Sequence, residues 1–578
     1  MFNLDAGVGE TPMTKRLVPL LWLVPLAFLG VFYFYPLGTI FQVSFSRAEG
    51  SLWQTVLEML QAPSVRRVVG FTYYQAGLST LLTLLVGLPG AYLFARYTFR
   101  GKNLLRALTG VPFVMPTLVV AAAFDALLGS RGWLNLGLMQ LFDLAEPPFQ
   151  FSNTLTAILL AHVFYNTTIV MRLVGDFWAN LDPRLSQAAR MLGANRWQTW
   201  RKVTLPLLAP AILAAALLVF IFDFTSFGVI LILGGPQFST IEVEIYYQAI
   251  SLFNLPLAAV LAIIQLLTTL GLTVIYTRLM ARLSRPLSLR PKSLTQQRLS
   301  TWRQRLAAGL LVAFLLGLFI TPLVSLGVRS FVQLEPDRGQ RTFEGPHVTL
   351  AFYRALWQNS NQSMFFASPA EALATSMGYA GGTVALSLLL GLPAAWMLAN
   401  RQQDLVSRIL DPLLMLPLGT SAVTLGLGFI VTLNRPPLDL RTSPLLIPLA
   451  HTLVAFPFVV RSLTPALRSI QPRLRQAAAV LGARPWDVFR SVDLPLVARA
   501  LLVSAVFAFT ISLGEFGATA LVGRPDLPTV PVMIYRYLSQ PGALNYGQAI
   551  ALSTILMVAT TVGMLLIERA RVGEGAEF

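Results

Sequence analysis

The 578-residue chain contains no cysteine, only three histidines, and only 12% charged residues. Without cysteine there are no disulfides and no thiolate metal or redox sites. His162, His347 and His451 are scattered along the sequence and leave zinc or haem without a ligand set, so no metal site is expected. The charged fraction is about half that of a soluble domain, and with 55% hydrophobic residues and a mean hydropathy of +0.65 it argues against a water-soluble enzyme. A Gly-x4-Gly-Lys-Ser/Thr phosphate loop is also missing. The sequence therefore predicts a chain that hydrolyses no ATP and binds no cofactor of its own.

What the sequence does have is long uncharged stretches. Crossing a hydrocarbon core of about 30 Å takes roughly 20 apolar residues. Twelve windows qualify, near 17–44, 70–95, 105–128, 153–171, 205–234, 255–277, 306–328, 372–400, 409–433, 443–460, 494–523 and 545–567. The first follows Lys15 and Arg16, is too long for a signal peptide, and reads as a retained span. In a soluble chain the formal charge of +17 would suggest nucleic acid; in an apolar one it tests topology. With the N-terminus inside, 31 of the 43 Lys and Arg fall in the N-terminus, 96–106, 172–202, 278–305, 401–408, 461–499 and the C-terminus, as the positive-inside rule requires. Both termini are thus expected to be cytoplasmic, the basic excess reads as orientation in the lipid bilayer, and no nucleic-acid partner is expected. The basic stretch with Arg282, Arg285, Arg290, Lys292, Arg298 and Arg303 reads as a linker beside anionic headgroups.

Internal similarity is the strongest signal. Residues 161–246 align without a gap on 450–535 at an offset of 289, with 32 of 86 positions identical. Gly87-Leu88-Pro89 and Gly391-Leu392-Pro393 correspond at a different offset. The expected fold is an all-α integral membrane protein of about twelve transmembrane helices in two parallel six-helix repeats. The chain divides into a cytoplasmic N-terminus 1–16, a first domain 17–278, a linker 279–305, a second domain 306–568 and a C-terminus 569–578. Parallel repeats place a pseudo-twofold axis along the membrane normal and a pathway between the halves.

The repeats match best in the inner loop after the fourth span of each half, residues 181–206 and 470–495. The first copy reads Pro183-Arg184-Leu185-Ser186-Gln187-Ala188-Ala189-Arg190-Met191-Leu192-Gly193-Ala194, continuing to Trp197, Trp200, Arg201, Val203 and Leu205-Pro206. The second reads Pro472-Arg473-Leu474-Arg475-Gln476-Ala477-Ala478-Ala479-Val480-Leu481-Gly482-Ala483, continuing to Trp486, Phe489, Arg490, Val492 and Leu494-Pro495. Leu185, Ala188, Ala189 and Leu192 recur at helical spacing and predict a short amphipathic helix. Gly193 and Gly482 stand where a helix ends through a left-handed residue, and Leu-Pro opens the next span, where a missing N–H matters least. Such a rigid cytoplasmic helix-turn-helix makes a docking surface.

This pattern resembles the EAA loop of the permease subunits of bacterial ABC importers: Glu-Ala-Ala, three residues, Gly, nine residues, Ile-x-Leu-Pro. Here Gln187 and Gln476 take the Glu position, while Val203 and Val492 take that of Ile. The resemblance covers essentially the whole chain as two fused permease domains. It implies coupling loops that dock on two copies of an ABC ATPase subunit, where ATP and Mg are bound, together with an extracytoplasmic solute-binding protein and a bacterial cytoplasmic membrane location. Arg131-Gly132-Trp133-Leu134, Ala161-His162-Val163-Phe164-Tyr165-Asn166 and the stretch from Gly234-Gly235-Pro236 to Tyr246 look like the iron(III) and thiamine import permeases. Polyamine, sulfate and molybdate permeases share the EAA pattern, and an ion-coupled secondary transporter is the alternative of a different class.

Acidic residues inside spans are costly and functional by default. Asp223 and Glu515 lie in corresponding spans at non-equivalent positions: Asp223 pairs with Ser512, and Ser226 with Glu515. Facing a path, the two carboxylates favour a cationic solute; otherwise each hydrogen-bonds a neighbouring span. Phe227 and Phe516 are candidate gate residues, while Glu242 and Glu244 are candidates for an acidic outer mouth. His162 and His451 begin corresponding spans and are expected to hydrogen-bond locally.

Overall fold

The structure, a computed structural model, describes residues 22–44, 58, 61–130, 132–235, 237–283, 296–334, 346–358, 367–400, 405–434 and 438–572. The expected cytoplasmic N-terminus 1–16, linker residues 284–295 and C-terminal residues 573–578 lie outside the described residues, as do Arg131 and Pro236.

The chain is helical almost throughout. In the first half run α1 (Trp22–Ser44), α2 (Pro63–Arg96), α3 (Lys102–Val114), α4 (Thr117–Leu128), α5 (Leu155–Ala179), α6 (Pro183–Met191), α7 (Arg196–Phe224), α8 (Gly228–Leu233), α9 (Ile241–Tyr246) and α10 (Leu255–Leu283). The second half has α11 (Trp302–Arg329), α12 (Pro369–Asn400), α13 (Leu405–Met415), α14 (Ala422–Thr432), α15 (Leu446–Arg468), α16 (Pro472–Val480), α17 (Trp486–Gly514), α18 (Gly517–Val522), α19 (Val530–Leu538) and α20 (Ala543–Val572). Among the described residues, eleven helices are long and apolar enough to cross a membrane, and twelve if the pair Leu410–Gly419 and Ala422–Thr432, bent by 96°, is one span. Sheet among them is limited to two pairings of two residues each, Tyr97–Thr98 with Gln297–Arg298 and Val332–Gln333 with His347–Val348.

Four windows that read as continuous spans are broken. The window 105–128 divides at Met115 and Pro116, both extended, because a proline pushes the residue before it out of the helical region. Its counterpart 409–433 divides through a 3-10 turn at Leu416–Gly419 and an extended Thr420, after which Ser421 caps α14 by accepting from the N–H groups of Val423 and Thr424. The windows 205–234 and 494–523 divide after Phe224 and Gly514. A hydropathy window registers apolarity and is blind to these interruptions.

The chain forms two compact units that do not coincide with the repeats: the described residues within 1–47, 357–533 and 558–578 make one, and those within 48–356 and 534–557 the other. In the first unit α1 packs on α14, with Pro36 and Ile40 closest to Gly428 and the Tyr33 hydroxyl 2.6 Å from that of Thr420. In the second, α11 packs on α4, Phe319 meets Phe164 at 6.0 Å between ring centroids, and the Trp133 indole donates to the Ser325 carbonyl. The opening span of each half thus packs on the third span of the other.

Within each unit a central helix pair crosses at a glycine. A Cβ on Gly87 of α2 would stand 2.7 Å from Cβ of Val170 on α5, and one on Gly391 of α12 would stand 2.6 Å from Cγ1 of Val459 on α15. Val170 and Val459 are the same position at offset 289. Gly87→Ala and Gly391→Ala are each expected to lower stability by about 1–3 kcal/mol, the cost of overpacking a close helix contact. Gly271→Ala, where a Cβ meets nothing within 4 Å, is expected to leave thermal melting of the detergent-solubilised chain unchanged.

Candidate functional site

The helix in each matched loop stands clear of the protein: neither α6 nor α16 has a buried residue. Asp182 caps α6 by accepting from the N–H of Arg184 at 2.9 Å. Both helices then stop in the same way. The N–H of Ala194 donates to Ala189 and that of Gly193 to Arg190; Ala483 donates to Ala478 and Gly482 to Ala479. This is the Schellman pattern, which needs a left-handed residue after the helix; Gly193 has φ +87 and Gly482 φ +85. The closure leaves Met191 and Leu192 83% and 89% exposed, and Val480 and Leu481 both 87% exposed. Gln187, Ala188, Gln476 and Ala477 are exposed beside them, with Ala189, Ala194, Ala478 and Ala483 half-buried. Large apolar side chains held open on rigid turns mark a surface for a partner.

From each turn the chain enters a helix continuous with the fifth span of its repeat. Arg196–Phe224 and Trp486–Gly514 are each 29 residues, about 44 Å at 1.5 Å per residue. Each holds a π turn at the same repeat position, Trp200–Thr204 and Phe489–Asp493, immediately before Leu205-Pro206 and Leu494-Pro495. Pro206 and Pro495 cannot donate to the carbonyl four residues back and their rings crowd it, which the wider turn relieves. Stacked rings stiffen both stubs, Trp197 on Trp200 at 5.1 Å and Trp486 on Phe489 at 5.4 Å.

The two loops differ in how the short helix is fastened. Arg475 Nε of α16 donates to the buried Asp493 Oδ1 at 2.7 Å. The first copy has Ser186 and Thr204 at these positions. The alignment alone carries the clue, a neutral pair in one copy matched to opposite charges in the other, but only the fold places the two in contact.

At their far ends the long helices break beside the acidic residues. Asp223 is completely buried; its Oδ1 accepts from Asn166 Nδ2 at 2.6 Å and stands 3.4 Å from His162 Nδ1, while Gln75 Nε2 donates to its backbone carbonyl at 2.9 Å. His162 also joins Ser79 through Nδ1 and Ser226 through Nε2, each at 2.9 Å. In the second copy His451 Nδ1 is 2.8 Å from Ser512, which is 3.2 Å from Thr383, and Nε2 is 2.8 Å from Thr519 and 3.2 Å from Glu515. Glu515 accepts from the N–H groups of Ala518 at 3.0 Å and Thr519 at 3.3 Å, capping α18. Each candidate carboxylate is thus tied to neighbouring elements of its own half, and Phe227 and Phe516 are buried directly after the breaks. Sequence reading singled out the acids and histidines but missed Gln75, Ser79, Asn166, Thr383 and Thr519, small polar residues whose spacing carries no signal of its own.

Of the outer-mouth pair, Glu242 is buried and accepts from Gln265 of α10, while Glu244 is half-buried, accepting from Gln248 at 2.7 Å and Ser239 at 3.2 Å. At the equivalent bend of the second half, before α19, the Arg524 guanidinium beside the exposed Asp526 holds that carboxyl below the usual carboxylate value.

A duplicated six-span unit presenting one such loop per copy is the architecture of an ABC importer permease, a membrane channel subunit rather than an enzyme. The chain belongs to the family of binding-protein-dependent transport system inner membrane components, whose family model matches residues 87–288 and 388–570. It is 30% identical to the thiamine transport system permease protein ThiP of Escherichia coli over 83% of this chain and 85% of that protein. It is also 28% identical to ThiP of Salmonella typhimurium over 92% and 95% of the two chains. A solved bacterial ABC transporter involved in the import of the acidic polysaccharide alginate overlays 47% of this chain and 98% of its own, at 17% identity and a TM-score of 0.40.

Arg475→Gln is expected to lower stability by about 1–3 kcal/mol, because it leaves a buried carboxylate without its charge partner. Replacing Arg475 by Ser together with Asp493 by Thr, as in the first loop, is expected to restore most of that loss. Thermal melting of the full chain reads both; a double variant no better than the single one contradicts the pairing.

Proposed function

We propose that this chain forms the transmembrane pathway of an importer for an organic cation of the thiamine type. Solute is handed over by an extracytoplasmic binding protein, and two copies of an ATPase subunit, one on each loop, drive the cycle. Mg-ATP is bound on those subunits, and this chain carries no hydrolytic site. The domains are those of the sequence reading, 17–278 and 306–568, with both termini and both loops in the cytoplasm. The observation that carries the coupling role is the pair of Schellman-closed helices with their apolar ends held open, one per repeat and each leading into a 29-residue helix.

A push on α6 or α16 passes through the stacked stub to a helix stiff enough to transmit it and arrives at the breaks after Phe224 and Gly514. In this reading Asp223 and Glu515 act on the pathway through the breaks they hold, and the half-buried Glu244 is the remaining candidate for the acidic outer mouth. Thiamine is favoured over iron(III), polyamine, sulfate or molybdate because several relatives matched over most of their length, 25–30% identical, are thiamine permeases by name.

Two measurements test the reading. In proteoliposomes holding the chain with its ATPase, thiamine-loaded binding protein is expected to stimulate ATP hydrolysis, whereas iron(III), sulfate and molybdate are not. Gly193→Val and Gly482→Val place a β-branched residue at positive φ, a strain of about 1–3 kcal/mol at each turn. They are expected to cut uptake more than tenfold while the chain still inserts and melts near the wild-type temperature. Unchanged transport in a well-folded double variant would sink the coupling role.

A further inference from the structure

The end of α2, the start of α3 and the end of α5 enclose a charged cavity that neither the α6 loop nor the helix breaks use, and all of it lies within the second compact unit. Lys102 and Arg106 stand one turn apart on α3, Arg172 and Asp176 one turn apart on α5, and all four line the cavity. Residues four apart share a helix face, so each pair presents its two charges together. The walls are sewn to one another. The Tyr165 hydroxyl of α5 donates to the Met115 carbonyl at 3.2 Å, Thr168 donates to the Thr109 carbonyl, and Arg106 pairs with Asp176. The Lys102 ammonium donates to the Tyr97 carbonyl at 2.7 Å. Gln296, at the described end of the linker, also lines the cavity and donates to the Phe94 carbonyl at 3.4 Å, beside the pairing of Tyr97–Thr98 with Gln297–Arg298. Three cations thus meet one carboxylate, and Phe94 and Met171 give the same cavity an apolar wall.

We infer that this cavity seats the phosphate of an anionic phospholipid headgroup, taken from the leaflet on the side of the α6 loop. A phosphodiester brings one negative charge and several acceptor oxygens to the clustered cations. Arg106 spends one nitrogen on Asp176, and a guanidinium carries five N–H donors. A basic pocket between spans at the cytoplasmic surface is the chemistry that recognises anionic headgroups. The apolar wall favours an amphiphile over a free phosphate, because Phe94 and Met171 offer a surface to the glycerol and the first acyl carbons that an inorganic ion leaves unused. Ala179, the last residue of α5, lines the cavity too, and α6 begins at Pro183. A seated headgroup therefore braces α3 against α5 directly before the exposed loop. The second copy has Pro465 at the position of Asp176, and its Arg461, equivalent to Arg172, donates to the Met415 sulfur at 3.3 Å. Sequence reading counted Lys102, Arg106 and Arg172 as orientation charges, because the cavity exists only once α3 is packed on α5.

The inference rests on the orientation proposed above only for naming the inner leaflet as the source, and the test is made in detergent, where neither orientation nor transport enters. Thermal melting of the full chain in non-ionic detergent is followed against dihexanoylphosphatidylglycerol, with dihexanoylphosphatidylcholine and inorganic phosphate in parallel. Phosphatidylglycerol is expected to raise the melting temperature saturably, as a ligand of the folded state does, at concentrations where the other two leave it unchanged. Lys102→Gln/Arg106→Gln is expected to raise the half-saturating concentration roughly thirtyfold, the loss of two cations beside a phosphate. Arg66→Gln/Arg67→Gln, the same charge change at the exposed opposite end of α2, is expected to leave it within about twofold. Asp176→Asn takes the carboxylate out of the cavity and is expected to lower it about fivefold. An equal response to phosphatidylcholine or to inorganic phosphate overturns the anionic-headgroup assignment, as does no response to any of the three. An unchanged half-saturation in the Lys102→Gln/Arg106→Gln chain overturns the cavity as the site. Should that chain melt far below wild type without lipid, Asp176→Asn decides alone, and a weaker or unchanged lipid response overturns the site.

Discussion

A backbone that breaks within a lipid-spanning segment must find partners inside the protein, since the bilayer offers no water to its N–H and C=O groups. The fifth span of each repeat breaks in this way, and the polar residues at the breaks answer that requirement one group at a time. Gln75 takes the carbonyl of Asp223 near the end of α7, and Glu515 takes two N–H groups at the start of α18. His162 and His451 stand between the helices of each cluster, His162 reaching Ser79 of α2, Asp223 near the end of α7 and Ser226 after it, and His451 reaching Ser512 near the end of α17 and Thr519 of α18. Intramembrane acidic residues are costly, and here both sit where a long helix ends.

The same helices carry the cytoplasmic loops at their other ends. A 29-residue helix with a stacked aromatic stub and a glycine-closed turn has few soft points between the loop and the break. The π turn before the Leu-Pro is repeated in both copies, where the missing proline N–H has already removed a backbone bond, and the first copy has a second such point at the interior Pro210. Displacement at the loop is therefore either absorbed at such a point or delivered to the break. The Arg475–Asp493 pair ties α16 to the π turn in the second copy only. The two loops present similar surfaces and differ in how firmly each is fixed to the helix that follows it.

Much of this was legible in the sequence, because the repeat, the periodicity and the glycine positions are local or self-referential signals. Gly193 and Gly482 could be assigned to a left-handed helix end from spacing alone, and the structure gives them φ +87 and +85. The breaks at Met115–Pro116 and after Phe224 were not legible, since a hydropathy window adds up apolar residues and does not ask whether each can continue a helix. Pro116 was the available warning. The packing of α1 on α14 and of α11 on α4 had no signal either: the family match begins at residues 87 and 388, after the opening spans, and lipid-facing and protein-facing spans have the same composition. Ser79, Asn166 and Thr383 went unnoticed because a small polar residue in a span acquires meaning only from the acid or imidazole it meets.

The two histidine clusters show how duplication and divergence share the work. Each ring faces the same two repeat positions, 223 and 512 through Nδ1, 226 and 515 through Nε2, yet the acid has changed sides: Asp223 is on the Nδ1 side of His162 and Glu515 on the Nε2 side of His451. One scaffold position, a histidine between two helix ends, is kept, while the placement of charge around it is reversed. Equivalent breaks thus carry their acids three repeat positions apart, which a strict duplicate would not do. The Tyr247/Arg536 and Ser186/Arg475 positions follow the same pattern, a neutral residue in one copy standing where the other has a charge.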